Sequence, residues 1–144
     1  MLAPVIERLT SRVAALQGRV KGAAELSRLL ASNAIRETDR GAYVLPMALR
    51  GGQARAATGA FVQEVEELIA VVLVTPSEDP RGARALTTID TQIDAVIAAL
   101  AGWCPPDMPG PLRLVQGRMI NIGAGALVYH LDFATTTQLR INPA

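Results

Sequence analysis

Apolar side chains recur every three or four residues at Leu2, Val5, Ile6, Leu9, Val13, Leu16 and Val20, which places them on one stripe of an amphipathic helix. Pro4 suits its first turn, and Gly18 is a natural stop because it takes a left-handed conformation without a Cβ clash. A shorter helix follows, with Ala23, Leu26, Leu29 and Leu30 on one face, and dissolves into the polar stretch 32–40. The period then changes. Over residues 42–49, Tyr43, Leu45, Met47 and Leu49 alternate with Val44, Pro46 and Ala48, as a strand requires. Pro46 has no amide hydrogen for a ladder, so this strand belongs at an edge or carries a bulge.

Residues 51–59 are small, polar and glycine-rich, and predict a mobile loop spanning about 50–60. The next strand is long. Its second half, 68–74, is apolar on both alternating sets, which implies burial on both faces and a central position. In the first half, Val62, Val65, Leu68 and Ile69 also fit a helical stripe. Strand is favoured there because β-branched residues run unbroken into Val71, Val72 and Val74. The acidic stretch Ser77-Glu78-Asp79-Pro80 then precedes a second long helix, where Leu86, Ile89, Ile93, Val96, Ile97, Leu100 and Trp103 form the apolar stripe. Prolines 105, 106, 109 and 111 make 104–111 a loop. Strands over 112–122 and 126–134 flank Gly123-Ala124-Gly125 as a hairpin, followed by a polar tail, 135–144, with a short strand possible at 139–141.

The expected fold is therefore α+β: an antiparallel or mixed β-sheet with two main helices packed on one side, in the order α-(α)-β-β-α-β-β, forming a single domain over 1–144. Half of the residues are hydrophobic but only 3% are aromatic, so Ala, Val, Leu and Ile must fill the core. No apolar run approaches the roughly 18 residues that span a bilayer. The N-terminus lacks the basic start and uninterrupted apolar stretch of a secretory signal, so cytoplasmic synthesis is the natural reading. A formal net charge of +1 leaves no bulk field for nucleic acid or an acidic membrane.

Candidate chemistry is scarce. The sole cysteine, Cys104, and sole histidine, His130, exclude an internal disulfide and the usual structural zinc sets. His130 and Asp132 share a strand face, but nothing ties Cys104 to them, so a hydrolytic trio is disfavoured. The plainer readings are a polar side chain on the less buried face for His130 and a small hydrophobe for Cys104. Alternation puts Glu64 and Glu66 on one face and Glu67 on the other, which suits solvated or interfacial charge better than a metal site. Arg50, Arg55, Arg81 and Arg84 flank the ends of the central elements, either as ordinary surface charge or, with Phe61, Glu64 and Glu66, as assembly contacts. No catalytic residue, cofactor or metal is expected.

Several phrases in their order and spacing resemble the tail terminator proteins of long-tailed phages, the Mu-like group in particular. They are residues 1–9, Ala42-Tyr43-Val44-Leu45-Pro46, Thr58-Gly59-Ala60, Leu100-Ala101-Gly102-Trp103, residues 111–118 and Leu131-Asp132-Phe133-Ala134-Thr135. The acidic Gln63-Glu64-Val65-Glu66-Glu67 departs from the more basic or neutral run expected there. The resemblance implies a non-enzymatic virion protein at the head-proximal end of the tail, assembled in the host cytoplasm. It would form a homo-oligomeric ring, hexameric in this family, that caps the tail tube protein, stops polymerisation and meets the neck, with DNA only passing through its lumen. By the same resemblance, the 51–59 loop and the start of the next strand touch the tube. The rival readings are another head-tail joining or head completion protein and, from a different class, a small hydrolase or ligand-binding protein.

Overall fold

The computed structural model describes residues 2–31, 35–57, 59–76, 83–121 and 125–142. Helix α1 spans Leu2–Arg12, short strand β1 Val20–Lys21 and helix α2 Ala23–Leu30. They are followed by strands β2 (Gly41–Ala57) and β3 (Ala60–Pro76), helix α3 (Ala83–Leu100), and strands β4 (Arg113–Asn121) and β5 (Ala126–Ile141). The sheet has the order β1-β2-β3-β5-β4, and only the β1–β2 pair is parallel. This is the expected α+β architecture, with β3 central as its doubly apolar run requires.

The two faces of the sheet have different covers. Ile69, Val71 and Leu73 on β3 join Val5 and Leu9 of α1 and Ile89, Val96 and Leu100 of α3 in the main core. The intervening Ala70, Val72 and Val74 pack instead with Tyr43 and with Leu26 and Leu29 of α2. The two main helices thus share one side, as expected, and the short helix covers part of the other.

Four local expectations change. The first helix stops at Arg12, although Val13 and Leu16 stay buried beside it, because a 3-10 turn over Ala14–Leu16 and Gly18 at φ +70° redirect the chain. Val20 then falls in β1, held where the Ala42 amide donates to the Arg19 carbonyl at 3.0 Å. On α3 the buried stripe is rotated: Leu86 is 47% exposed, while Ala85 and the polar Gln92 (4%) are buried. The sheet contacts the helix along Ala85, Ile89, Val96 and Ala99, and the bulkier Leu86 lies just off that line.

The other two changes lengthen the sheet. The segment expected as a loop over about 50–60 is strand as far as Ala57, paired with β3 down to Ala57↔Ala60, with the turn at Gly59 (φ +80°). Its glycines accommodate a register shift between Gly51 and Ala54, where the Gln63 amide lies across the strand and donates to the Gly52 carbonyl at 3.2 Å. The polar tail from 135 is likewise the second half of β5, in unbroken register with β3 out to Phe61↔Ile141. Small and polar composition misleads here because backbone pairing is indifferent to side-chain polarity. The expected bulge at Pro46 is present, as a register shift between Pro46 and Ala48. Residues 77–82 and the 122–124 part of the second hairpin connection lie outside the described residues.

The end of α3 is pinned. Gly102 adopts φ +80°, its amide donates to the Leu112 carbonyl at 2.8 Å, and the Leu112 amide donates to Trp103 at 2.8 Å. Arg8 donates from Nε to the Ala99 carbonyl at 2.6 Å, with its guanidinium 4.7 Å from the Trp103 ring centroid. A cation there complements the negative end of the helix.

Gly41 (φ +155°) marks the closest backbone approach, since an added Cβ would collide with the Arg19 carbonyl. Gly41→Ala should therefore destabilise the protein by about 2–4 kcal/mol in urea denaturation, whereas a change under about 0.5 kcal/mol would show that the β1–β2 crossing is loose.

Candidate assembly surfaces

From residue 48 of β2, 67 of β3 and 136 of β5 outward, none of the described side chains is buried. These segments form a three-stranded arm that runs about 25 Å beyond the helical layer. Its faces follow from register, since paired residues point the same way. Leu49↔Glu67, Gln63↔Leu139, Val65↔Thr137 and Phe61↔Ile141 lie on the α1–α3 side. Leu49 is 72% exposed there, and Leu139 and Ile141 are also exposed. This is an apolar surface continuous with the core residues Ile69 and Phe133 but without a cover among the described residues.

The reverse face, on the α2 side, is charged. Arg50↔Glu66, Arg55↔Val62 and Val62↔Arg140 set Arg50, Arg55, Glu64, Glu66 and Arg140 there. Glu66 is the hub: Arg50 Nη1 lies 3.8 Å from one carboxylate oxygen, and Arg113 of β4 donates to the other. Both arginines are largely exposed, so screening by water keeps each pair weak. The candidate contacts thus divide. Arg50, Arg55, Glu64 and Glu66 come together on this face, Phe61 lies on the opposite one, and Arg84 is an exposed side chain in the first turn of α3. Arg81 lies outside the described residues.

The sheet also has open edges. β1 pairs only with Ala42 and Tyr43, so β2 beyond them has no outer neighbour among the described residues, and neither does β4. Sequence reading located the Pro46 edge and the strand over 112–122 but did not identify β4 as the other edge, where Leu114, Val115 and Ile120 are exposed.

His130 and Asp132 share a strand face, as expected, and both are buried, at 7% exposed against 1% for Leu131 and 0% for Phe133 on the opposite face. His130 Nε2 lies 3.0 Å from Asp132 Oδ1 without the alignment of a hydrogen bond, while Gln116 of β4 donates to Asp132 Oδ2 at 2.9 Å. The cluster ties the edge strand to its neighbour. Cys104 is exposed rather than packed, and its thiol meets the Pro105 and Met108 carbonyls of its own loop. Among the described residues no group of three His, Cys, Asp or Glu side chains is placed to hold a metal ion, and no helix is long and apolar enough to cross a membrane.

A cleft of about 290 Å³ lies beside α2, with Lys21, Arg28 and Arg36 on its walls and Tyr43 at its base. Its two acids are engaged in capping: Glu25 accepts from the Gly22 amide at 3.1 Å and Asp39 from the Arg36 amide at 2.7 Å. Burial, with Asp39 and Glu25 nearby, pushes the Tyr43 hydroxyl above its usual range, and that hydroxyl donates to the Asp39 carbonyl at 2.9 Å.

The whole chain matches one family model. Residues 1–143 align with the model described as phage tail terminator protein. The chain belongs to the phage tail terminator family. No curated protein matches it. Membership makes it a structural protein of the phage tail, hence of the virion. The exposed arm and open edges are therefore the surfaces of a tail-assembly component.

Two outcomes test these local arrangements. Asp132→Ala removes the acceptor for Gln116 and the carboxylate beside buried His130, and should cost about 1–3 kcal/mol in chemical denaturation. No measurable cost would mean that the cluster does not hold β4. For Tyr43, the folded state holds the phenol proton more tightly than the unfolded chain, so its contribution is fully present below about pH 10 and is lost as pH rises past that value. Tyr43→Phe should flatten that alkaline loss in pH-dependent melting, and an unchanged alkaline limb would exclude Tyr43 as its source.

Proposed function

We propose that copies of this chain close into a ring, hexameric as in the proteins it resembles, that caps the completed tail tube and ends its polymerisation. The ring also presents the attachment surface for the neck, and DNA passes through its lumen. The observation that carries this reading is the helix-side face of the arm, with Leu49, Leu139 and Ile141 exposed and Phe61 half-buried beside them, beyond the part of the sheet that the helices cover. A surface of that kind belongs in a protein contact.

The edges support a head-to-tail arrangement. A rotationally closed ring of more than two copies needs two different surfaces on each subunit, and β2 and β4 stand at opposite margins of one sheet. Edge pairing satisfies backbone groups that water otherwise solvates and removes the hazard of open-ended association. Phe61 is then a protein contact on the arm.

The test is the pair Phe61→Asp and Leu139→Asp, which puts charge on the arm face without touching a buried position. The double variant should fold, sediment as a monomer and leave tails longer than normal in an assembly reaction. Intact annuli by negative-stain imaging together with tails of normal length would sink the proposal.

A further inference from the structure

The strand arginines all point one way. Arg50, Arg55 and Arg140 lie on the α2-side face of the arm, and on β4 the pairings Arg113↔Ala134 and Arg118↔His130 put the other two on the same face. The opposite sheet face carries a single strand charge, Glu67. Glu66 engages Arg50 and Arg113, but Arg55, Arg118 and Arg140 are exposed and have no acidic partner among the described residues. Arg55 and Arg140 flank Val62 on its two neighbouring strands, and the nearest acid on that face by register is Glu64, two residues along β3. The cleft beside α2 adds Lys21, Arg28 and Arg36 on that same side, against the two carboxylates of Glu25 and Asp39.

We infer that this face binds the phosphate backbone of nucleic acid, without reading its bases. The positive charge is spread over β2, β5 and β4, a width of about 14 Å at ordinary strand spacing, so a small anion would meet only part of it. A repeated anion meets all of it. Guanidinium forks match phosphate oxygens in pairs, and Gln138, Thr136 and Gln116 on the same face add neutral hydrogen-bonding groups. An acidic protein fits less well. Protein contacts anchor on buried apolar or aromatic side chains, and the exposed ones that strand register assigns to a face, Leu49, Leu114, Leu139 and Ile141, are on the other side, with Leu30 of α2 exposed on this one. No aromatic side chain stands open on the charged face to stack a base, so recognition is electrostatic. A near-neutral net charge conceals this, because the face is positive only through segregation. The inference stands on charge placement and does not require the ring.

The experiment is a salt titration of the full-length protein against a labelled 30-base-pair duplex of arbitrary sequence, starting at 50 mM salt. The triple variant Arg55→Ser, Arg118→Ser, Arg140→Ser is the comparison, with circular dichroism to confirm folding and Glu67→Gln as the opposite-face control. Wild type should bind, and the log–log salt slope should fall by about 3 per bound subunit in the triple variant, with affinity at 50 mM lower by about tenfold or more and Glu67→Gln unchanged. Absence of wild-type binding, or an unaltered slope in the variant, overturns the inference. Equal displacement of the duplex by polyglutamate of matched charge also overturns it and points to an acidic protein instead. Sedimentation of the same samples separates the two proposals: a ring that ignores DNA sinks this one alone, and a monomer that binds DNA sinks only the ring.

Discussion

The structure depends on β3 being paired along both sides for nearly its whole length. Its 17 residues make antiparallel ladders with β2 on one side and β5 on the other. At the inner end those ladders are buried between α1 and α3 on one face and α2 on the other, which makes them costly to open. At the outer end the same ladders continue without a cover. The arm stays paired because it is an extension of a buried sheet, and an isolated hairpin of that composition would be marginal in water.

That continuity lets the arm present two surfaces of opposite character a few ångströms apart. Leu49, Phe61, Leu139 and Ile141 project from one side, and Arg55, Glu64, Glu66 and Arg140 from the other. A register slip of one residue would exchange them. The register is set far away, where Ile69, Val71 and Leu73 must face the helices. The packing of α1 and α3 thus fixes which surface of a distant arm is greasy and which is charged. For a member of the phage tail terminator family, whose role is structural, the placement of surfaces is the whole of the chemistry.

Much of this was legible in the chain. The alternation at 42–49, the doubly apolar 68–74, the Pro-rich 104–111 and the β-branched continuity through 61–67 all predict what is observed, as does the sharing of a face by Glu64 and Glu66. Failures were of two physical kinds. Segments 51–57 and 135–141 look like loop and tail because Gly and Ala carry little strand preference in the first and the polar run Thr135-Thr136-Thr137-Gln138 shows no apolar alternation in the second, and their pairing is supplied by β3. On α3, Leu86 is exposed against expectation and Gln92 is buried, because the helix meets the core along Ala85, Ile89, Val96 and Ala99.

Local pattern by itself determined the type and order of the elements and the aliphatic nature of the core, because periodicity and backbone-restricting residues act within a few positions. It also showed how few reactive groups the chain has. What only the tertiary structure decided was which distant residues share a face: Glu66 between Arg50 and Arg113, Gln116 against Asp132, all five strand arginines on one face of the sheet. Those relations join residues far apart in the chain, and they exist only after the register has been set by burial elsewhere.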